Sequence, residues 1–254
     1  GSEMCIRDRL RDVDAAELAA GHDAVIYAVG APASRELGVP GEDLPGSLAA
    51  TTVVGWYNGH PDVPADALDL SAERVVVVGN GNVALDVARI LTADPDDLAD
   101  TAIAPAALAR LRASRVREVV LLGRRGPEHA AYTRPELRAL AQRAGVELVV
   151  DEHDPAVGAA IDTAAAGDKA ALLGGCPREA VDYSVPPAAG RRRIVLRFGS
   201  TPEAIVGETA VRGVRIGAGP TIPAGQVVRA IGHRGRALPG LPSGQPTGPL
   251  PRIP

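Results

Sequence analysis

The chain has 254 residues, 46% of them hydrophobic, and a formal net charge of −4, enough apolar surface for one large core or for more than one domain. It lacks the basic excess of a nucleic-acid binder, and no apolar run approaches the roughly 18 residues of a membrane span. Its first residues, Gly1 to Asp8, hold no apolar signal core, so a cytoplasmic globular protein is expected. Cys5 and Cys176 form no CxxC, which offers neither a disulfide framework nor a local redox dithiol. Lys169 is the single lysine, a bias that reads as coding composition rather than chemistry.

Residues 1–22 are poorly defined: the first dozen show neither periodicity nor cap logic and read as partly non-native. Residues 23–30 form an apolar run closed by Gly30, the pattern of a strand buried on both faces of a parallel sheet. A Pro/Gly-rich stretch from Pro32 to Pro64 predicts turns and little regular structure. The next unit is stronger. The β-branched run Arg74 to Val78 passes through Gly79-Asn80-Gly81 into a helical pattern carried by Val83, Val87, Ile90 and Leu91. Two short helical stretches follow at 96–100 and 105–112, then a strand at 118–122. A helix over 135–144, with Pro135 in its first turn and Gly145 as its stop, leads to a strand at 146–150. The order is βαβαβ. Short runs at 193–198, 203–206 and 211–216 predict an antiparallel meander, and residues 226–232 repeat the pattern of an apolar strand ending in glycine.

A dinucleotide pyrophosphate needs backbone N–H donors and room for close approach, and Gly79-x-Gly81 at a strand-to-helix turn offers both at the positive end of a helix. Ala84 takes the third position of the fingerprint, where a small residue lets the helix lie close to the strand. Asn80 and Asn82 add side-chain donors. The cofactor's second phosphate is read at the end of the next strand, where NAD sites carry Asp or Glu and NADP sites carry arginine. Here the strand ends Leu122-Gly123-Arg124-Arg125-Gly126. Two guanidiniums suit a 2′-phosphate, and no carboxylate stands within the turn, so NADP is expected. Arg124 lies 124 − 79 = 45 residues past the first glycine, against a usual spacing of about 20. The two helical stretches between Asp94 and Arg112 account for the excess as a surface insertion.

These motifs, with Gly55-Trp56-Tyr57-Asn58-Gly59-His60-Pro61 and the run from Gly123 to Pro127 followed by Glu136-Leu137-Arg138, resemble the adrenodoxin-reductase-like ferredoxin–NADP reductases. Members of that family carry FAD and NADP on two Rossmann-type domains, and the similarity extends from about Asp23 to Pro242. The resemblance implies an α/β chain in which a Rossmann-type NADP-binding domain, with a parallel βαβαβ sheet and an antiparallel meander, spans 71–225. Part of a second Rossmann-type FAD domain would occupy 23–70 and, truncated, 226–254. It implies that Asn80, Gly81, Asn82 and Val83 hold the pyrophosphate and Arg124 and Arg125 the 2′-phosphate, with further NADP contacts from Arg35 and Glu136. It also implies hydride transfer to FAD and delivery of electrons to a ferredoxin-like iron–sulfur protein by a monomer.

Such chemistry requires positioning rather than a catalytic acid or base, and neither Tyr57 nor His60 is assigned one. No metal site is expected. No GxGxxG strand unit precedes Asp23 and no glycine-rich closing segment follows Pro254, so the chain reads as a fragment expected to bind NADP weakly and to reduce little. A non-catalytic NADP-binding module and the reductase subunit of an amidotransferase-coupled enzyme stay open as alternatives.

Overall fold

The structure, a computed structural model, describes residues 15–26, 31, 33–217 and 219–235. The chain divides into two compact units, one made of residues 1–33 and 233–254 and the other of Ser34–Gly232. In chain order the strands are β1 (Ala33–Ser34), β2 (Ser47–Ala49), β3 (Arg74–Val78), β4 (Glu118–Leu122), β5 (Glu147–Asp151), β6 (Arg178–Glu179), β7 (Arg193–Arg197), β8 (Pro202–Val206), β9 (Gly213–Ile216), β10 (Thr221–Pro223), β11 (Gln226–Arg229) and β12 (His233–Arg234). The α-helices are α1 (Ala15–Gly21), α2 (Ala50–Tyr57), α3 (Asn82–Thr92), α4 (Pro95–Ala99), α5 (Pro105–Arg112), α6 (Arg134–Ala141) and α7 (Pro155–Asp162).

The smaller unit contributes α1 and β12 to the described residues. The expected buried strand at 23–30 does not form over its described half: residues 23–26 have no regular structure and Ile26 is 91% exposed. A parallel strand needs hydrogen-bonded neighbours and cover on both faces, and the described residues give this segment neither. Residues 27–30 lie outside the described residues.

The larger unit is built on a parallel sheet in the order β2-β11-β3-β4-β7-β5-β6. Its central strands are buried on both faces because side chains alternate between two cores. Val75, Val77, Val119, Leu121, Ile194 and Leu196 face a core shared with α2, α3, α5, α6 and α7. Val76, Val78, Val120, Leu122, Val195 and Val227 face a second core, closed by the antiparallel sheet β10-β9-β8 through Ile205, Val214 and Ile222. Within this sheet residues 226–229 pair with Arg74–Val78, and residues 47–49 pair in turn with 227–229.

Two further expectations are corrected. Residues 193–197 are not the first strand of the meander: β7 inserts between β4 and β5, parallel to both, because Ile194, Val195 and Leu196 are all buried and need cover on both faces. The 32–64 stretch contains α2, whose residues Ala50, Val53 and Trp56, three apart, bury one stripe, with the Trp56 indole N–H donating to the Ala65 carbonyl at 2.8 Å. Helix α7, capped by Asp154 and opened by Pro155, was likewise not anticipated.

Beneath the meander lies a charged row set by strand register. Arg74, Glu118 and Arg193 are paired neighbours on β3, β4 and β7, and the fully buried Glu118 carboxylate accepts from both guanidiniums. Further along the strands, buried Asp151 accepts from Arg197 and from the Tyr183 hydroxyl at 2.7 Å. Every member of this set is paired, as burial of charge demands.

Candidate functional site

At the carboxyl ends of the strands, hydrogen bonds hold four neighbours level. Ala230 N–H donates to Val78 O at 2.8 Å, Gly79 N–H to Leu122 O at 2.9 Å and Gly123 N–H to Arg197 O at 2.8 Å. Gly79, with φ 120°, lies so close to the strand beside it that a Cβ would sit 2.3 Å from the Ala230 carbonyl oxygen. Only glycine fits there. Gly81 differs: its φ of −84° suits any residue, and a Cβ would meet nothing nearer than the Ala131 Cβ at 3.7 Å. The space in front of Gly81 is therefore not used by the protein itself.

Gly81 is the N-cap of α3 and supplies no side-chain cap. The helix forms because Ala84, Leu85, Val87, Ala88 and Leu91 bury a continuous stripe against the sheet, with Ala84 wholly buried at the contact. Its first-turn N–H groups, those of Asn82 and Val83 among them, find no partner among the described residues. An uncapped helix amino terminus at the carboxyl ends of parallel strands is a ready anion site.

Asn80 and Asn82 are oriented by a segment the sequence did not single out. The Asn80 Oδ1 accepts from the Ala131 N–H at 3.2 Å and the Asn82 Oδ1 from the Thr133 N–H at 2.8 Å. With both oxygens engaged, each amide presents its Nδ2 donors outward. The Asn80 Nδ2 lies over Gly123, where a Cβ would stand 2.6 Å from it. The amide thus spans the gap between the glycine turn and the turn that follows β4. Tyr132, fully buried between the two bonded residues, anchors the segment in the helix-side core.

Arg124 and Arg125 are both exposed at the end of β4, and their guanidiniums have no partner among the described residues. Their backbone is nonetheless fixed, with Gly199 N–H donating to Arg125 O at 3.1 Å and Ser200 N–H to Gly123 O at 2.9 Å. One carboxylate does approach this turn, against the reading of its five residues alone: Glu128 Oε2 would lie 2.4 Å from a Cβ on Gly126. Its other carboxylate oxygen, Oε1, lies 3.5 Å from His129 Nε2, and no ion pair joins Glu128 to either arginine among the described residues. The insertion behaves as the spacing implied: α4 and α5 stack on the helix side, and β3 and β4 stay paired over five residues.

The remaining site residues are more dispersed. Arg35 is exposed; its N–H donates to Gly232 O at 3.1 Å, and its Cδ and Nε lie 3.6 Å from where a Gly232 Cβ would be. Its partner Gly232 lies just past the end of β11, two residues beyond the Ala230 that abuts Gly79. Glu136, exposed in the first turn of α6, faces a cleft of about 310 Å³ shared with Asp86, Arg89 and Arg143 rather than the glycine turn. Burial pushes the Cys176 thiol up, which disfavours a reactive thiolate. Burial and the nearby Asp86, opposed by Arg89, raise the Tyr57 phenol, so it stays protonated at neutral pH. Among the described residues there is no cluster able to hold a metal, and no helix is long and apolar enough to cross a membrane.

A parallel sheet whose third strand runs through glycine into an uncapped helix, with paired arginines at the end of the neighbouring strand, defines a Rossmann-type dinucleotide-binding unit. No protein-family model matches the chain. The NADPH-ferredoxin reductase FprA of Mycobacterium leprae is 46% identical over 255 residues, covering 91% of this chain and 54% of that protein. The mitochondrial NADPH:adrenodoxin oxidoreductase of Mus musculus is 48% identical over 144 residues, covering 57% of this chain and 29% of the relative. The solved structure of Mycobacterium tuberculosis FprA in complex with NADPH superposes with a TM-score of 0.78 at 44% identity, covering 94% of this chain and 56% of that one. Over the stretch they share, the chain is similar to the NADPH-ferredoxin and adrenodoxin reductases. It spans about half the length of the FprA relatives it matches.

Proposed function

We propose that the chain binds NADP(H) at the Gly79–Asn82 turn and serves an NADPH-dependent flavoprotein that passes electrons to a ferredoxin-like iron–sulfur protein. One observation carries the reading. An uncapped α3 amino terminus with free space at Gly81 stands beside two arginines that have no partner among the described residues, at the end of the next strand, the pairing of features that an NADP dinucleotide requires. The kinship with NADPH-ferredoxin reductases supports it.

In this reading the N–H groups of Gly81, Asn82 and Val83 and the amides of Asn80 and Asn82 receive the pyrophosphate. Arg124 and Arg125 grip the 2′-phosphate with charge-assisted, bidentate bonds. Arg35, bonded at Gly232 just past the end of β11, adds a cation, whereas Glu136 faces its own cleft and takes no part in this reading. FAD, implied by the kinship, would accept the hydride and release electrons singly when bound. What these residues contribute is orientation: the strand-end hydrogen bonds hold both phosphate turns at fixed separation, so a bound dinucleotide has one position along the crevice.

Calorimetric titration of the chain with NADPH and NADH tests the assignment. NADPH should bind at least about tenfold more tightly, since one charge-assisted bond lost is worth that much. Equal affinities, or none for either, would refute it.

A further inference from the structure

We propose that Lys169, acting through the peptide bond between Ala130 and Ala131, is a positioning residue that fixes the amide of Asn80 with its donors toward the dinucleotide. The inference rests on the NADP reading above and adds a residue that lies outside every motif of the glycine turn.

The geometry is a relay through one rigid plane. Lys169 Nζ donates to the Ala130 carbonyl oxygen at 2.8 Å. The N–H on the other side of that same peptide, at Ala131, donates to Asn80 Oδ1 at 3.2 Å. There is no cis peptide bond among the described residues, and in a trans peptide C=O and N–H point in opposite directions within one plane. Holding the Ala130 oxygen toward Lys169 therefore aims the Ala131 N–H at Asn80. The 165–169 turn that carries Lys169 is itself fixed, because Arg134 donates to Asp168 O at 2.7 Å and to Ala166 O at 3.2 Å. Buried Tyr132 next door prevents the segment from drifting as a whole.

The consequence is electrostatic. An asparagine amide has an acceptor end and a donor end of nearly the same shape, and its neighbours decide which faces a ligand. With Oδ1 held by Ala131, Nδ2 lies over Gly123 between the two phosphate turns, where an N–H attracts a phosphate oxygen and a carbonyl would repel it. If the Ala130–Ala131 plane rotates, the amide is free to turn over, and the repulsive orientation becomes populated. The Lys169 ammonium makes one hydrogen bond and no ion pair among the described residues, and the residue is only half-buried. Its contribution is thus this orientation rather than core packing.

The test is a double-mutant cycle on the full chain, read by calorimetric titration with NADP+, with melting temperatures recorded for each variant. Lys169→Met is expected to weaken binding about tenfold, and Lys169→Gln, whose shorter amide reaches the carbonyl less well, to weaken it in the same direction. Lys169→Arg, still a donor, should restore near-native affinity. In an Asn80→Ala background, Lys169→Met should have no further effect, because the group it orients is gone. Native affinity in both Lys169→Met and Lys169→Gln would overturn the proposal, as would a full additional loss in the Asn80→Ala background, since that marks a general structural defect. A parent chain that binds no NADP+ overturns instead the reading of the glycine turn on which it rests.

Discussion

Gly79 and Ala230 are packed so closely that a Cβ on Gly79 would stand 2.3 Å from the Ala230 carbonyl oxygen and 2.9 Å from its carbon. The carbonyl cannot retreat, since the Ala230 N–H is bonded to Val78 O at 2.8 Å. Gly79→Ala must therefore bear both a backbone clash and a φ of 120° that alanine avoids. A loss of about 2–4 kcal/mol is expected in urea unfolding. An unchanged midpoint would show that the strand ends are not locked.

Gly81→Ala should behave in the opposite way. The new methyl meets only the Ala131 Cβ at 3.7 Å, and φ is −84°, so stability should stay within about 1 kcal/mol. The methyl instead fills the space that a pyrophosphate needs, and NADP+ affinity should fall at least about tenfold. Thermal melting and titration on one preparation separate the two effects. A melting point that falls in step with affinity would mean that the space at Gly81 belongs to the fold.

Arg124→Ala and Arg125→Ala should each remove a charge-assisted bond to the 2′-phosphate, worth about 1.5–3 kcal/mol, or roughly 10- to 150-fold in NADPH affinity. NADH lacks that phosphate, so its weaker binding should be unaffected. Both side chains are exposed and unpartnered among the described residues, and melting temperatures should not move. Equal losses for both cofactors would place the arginines on some other part of the ligand.

Much of this site was legible because it is local. The strands Arg74–Val78 and Glu118–Leu122 match the expected runs residue for residue, since β-branched stretches bounded by glycine leave little choice of limits. Strand β7 was misplaced for a physical reason: proximity in sequence to β8 suggested a meander, whereas burial of Ile194, Val195 and Leu196 on both sides requires a central parallel position. Helix α2 was hidden by its surroundings, as Thr51, Thr52, Val53 and Val54 are β-branched and prolines and glycines flank it. The bonds from Ala131 and Thr133 to the two asparagines join residues 51 apart, and no local periodicity records such a contact. The same holds for Lys169, whose importance comes entirely from where α7 and the turn after it return the chain.

Glu42 gives the larger unit a titratable anchor near the site. It is buried, and its carboxylate accepts from the N–H groups of Leu37 and Gly38, both at 2.6 Å, and from Arg229 at the end of β11. Burial by itself pushes its pKa up, but the bonds from Leu37, Arg229 and Gly38 and the Arg229 charge outweigh that and hold it below the ordinary carboxylate value. A depressed folded-state pKa contributes stability that is present above the unfolded value, near 4.3, and is lost as pH falls through the folded value. Glu42→Gln should therefore lower the melting temperature at pH 7, because a neutral amide cannot accept all three donors. The variant should also show a shallower fall between about pH 5 and pH 3 than the parent, because it has no such carboxylate to protonate. Melting curves across that range decide it, and two profiles that run parallel would mean that Glu42 titrates alike in the folded and unfolded chain.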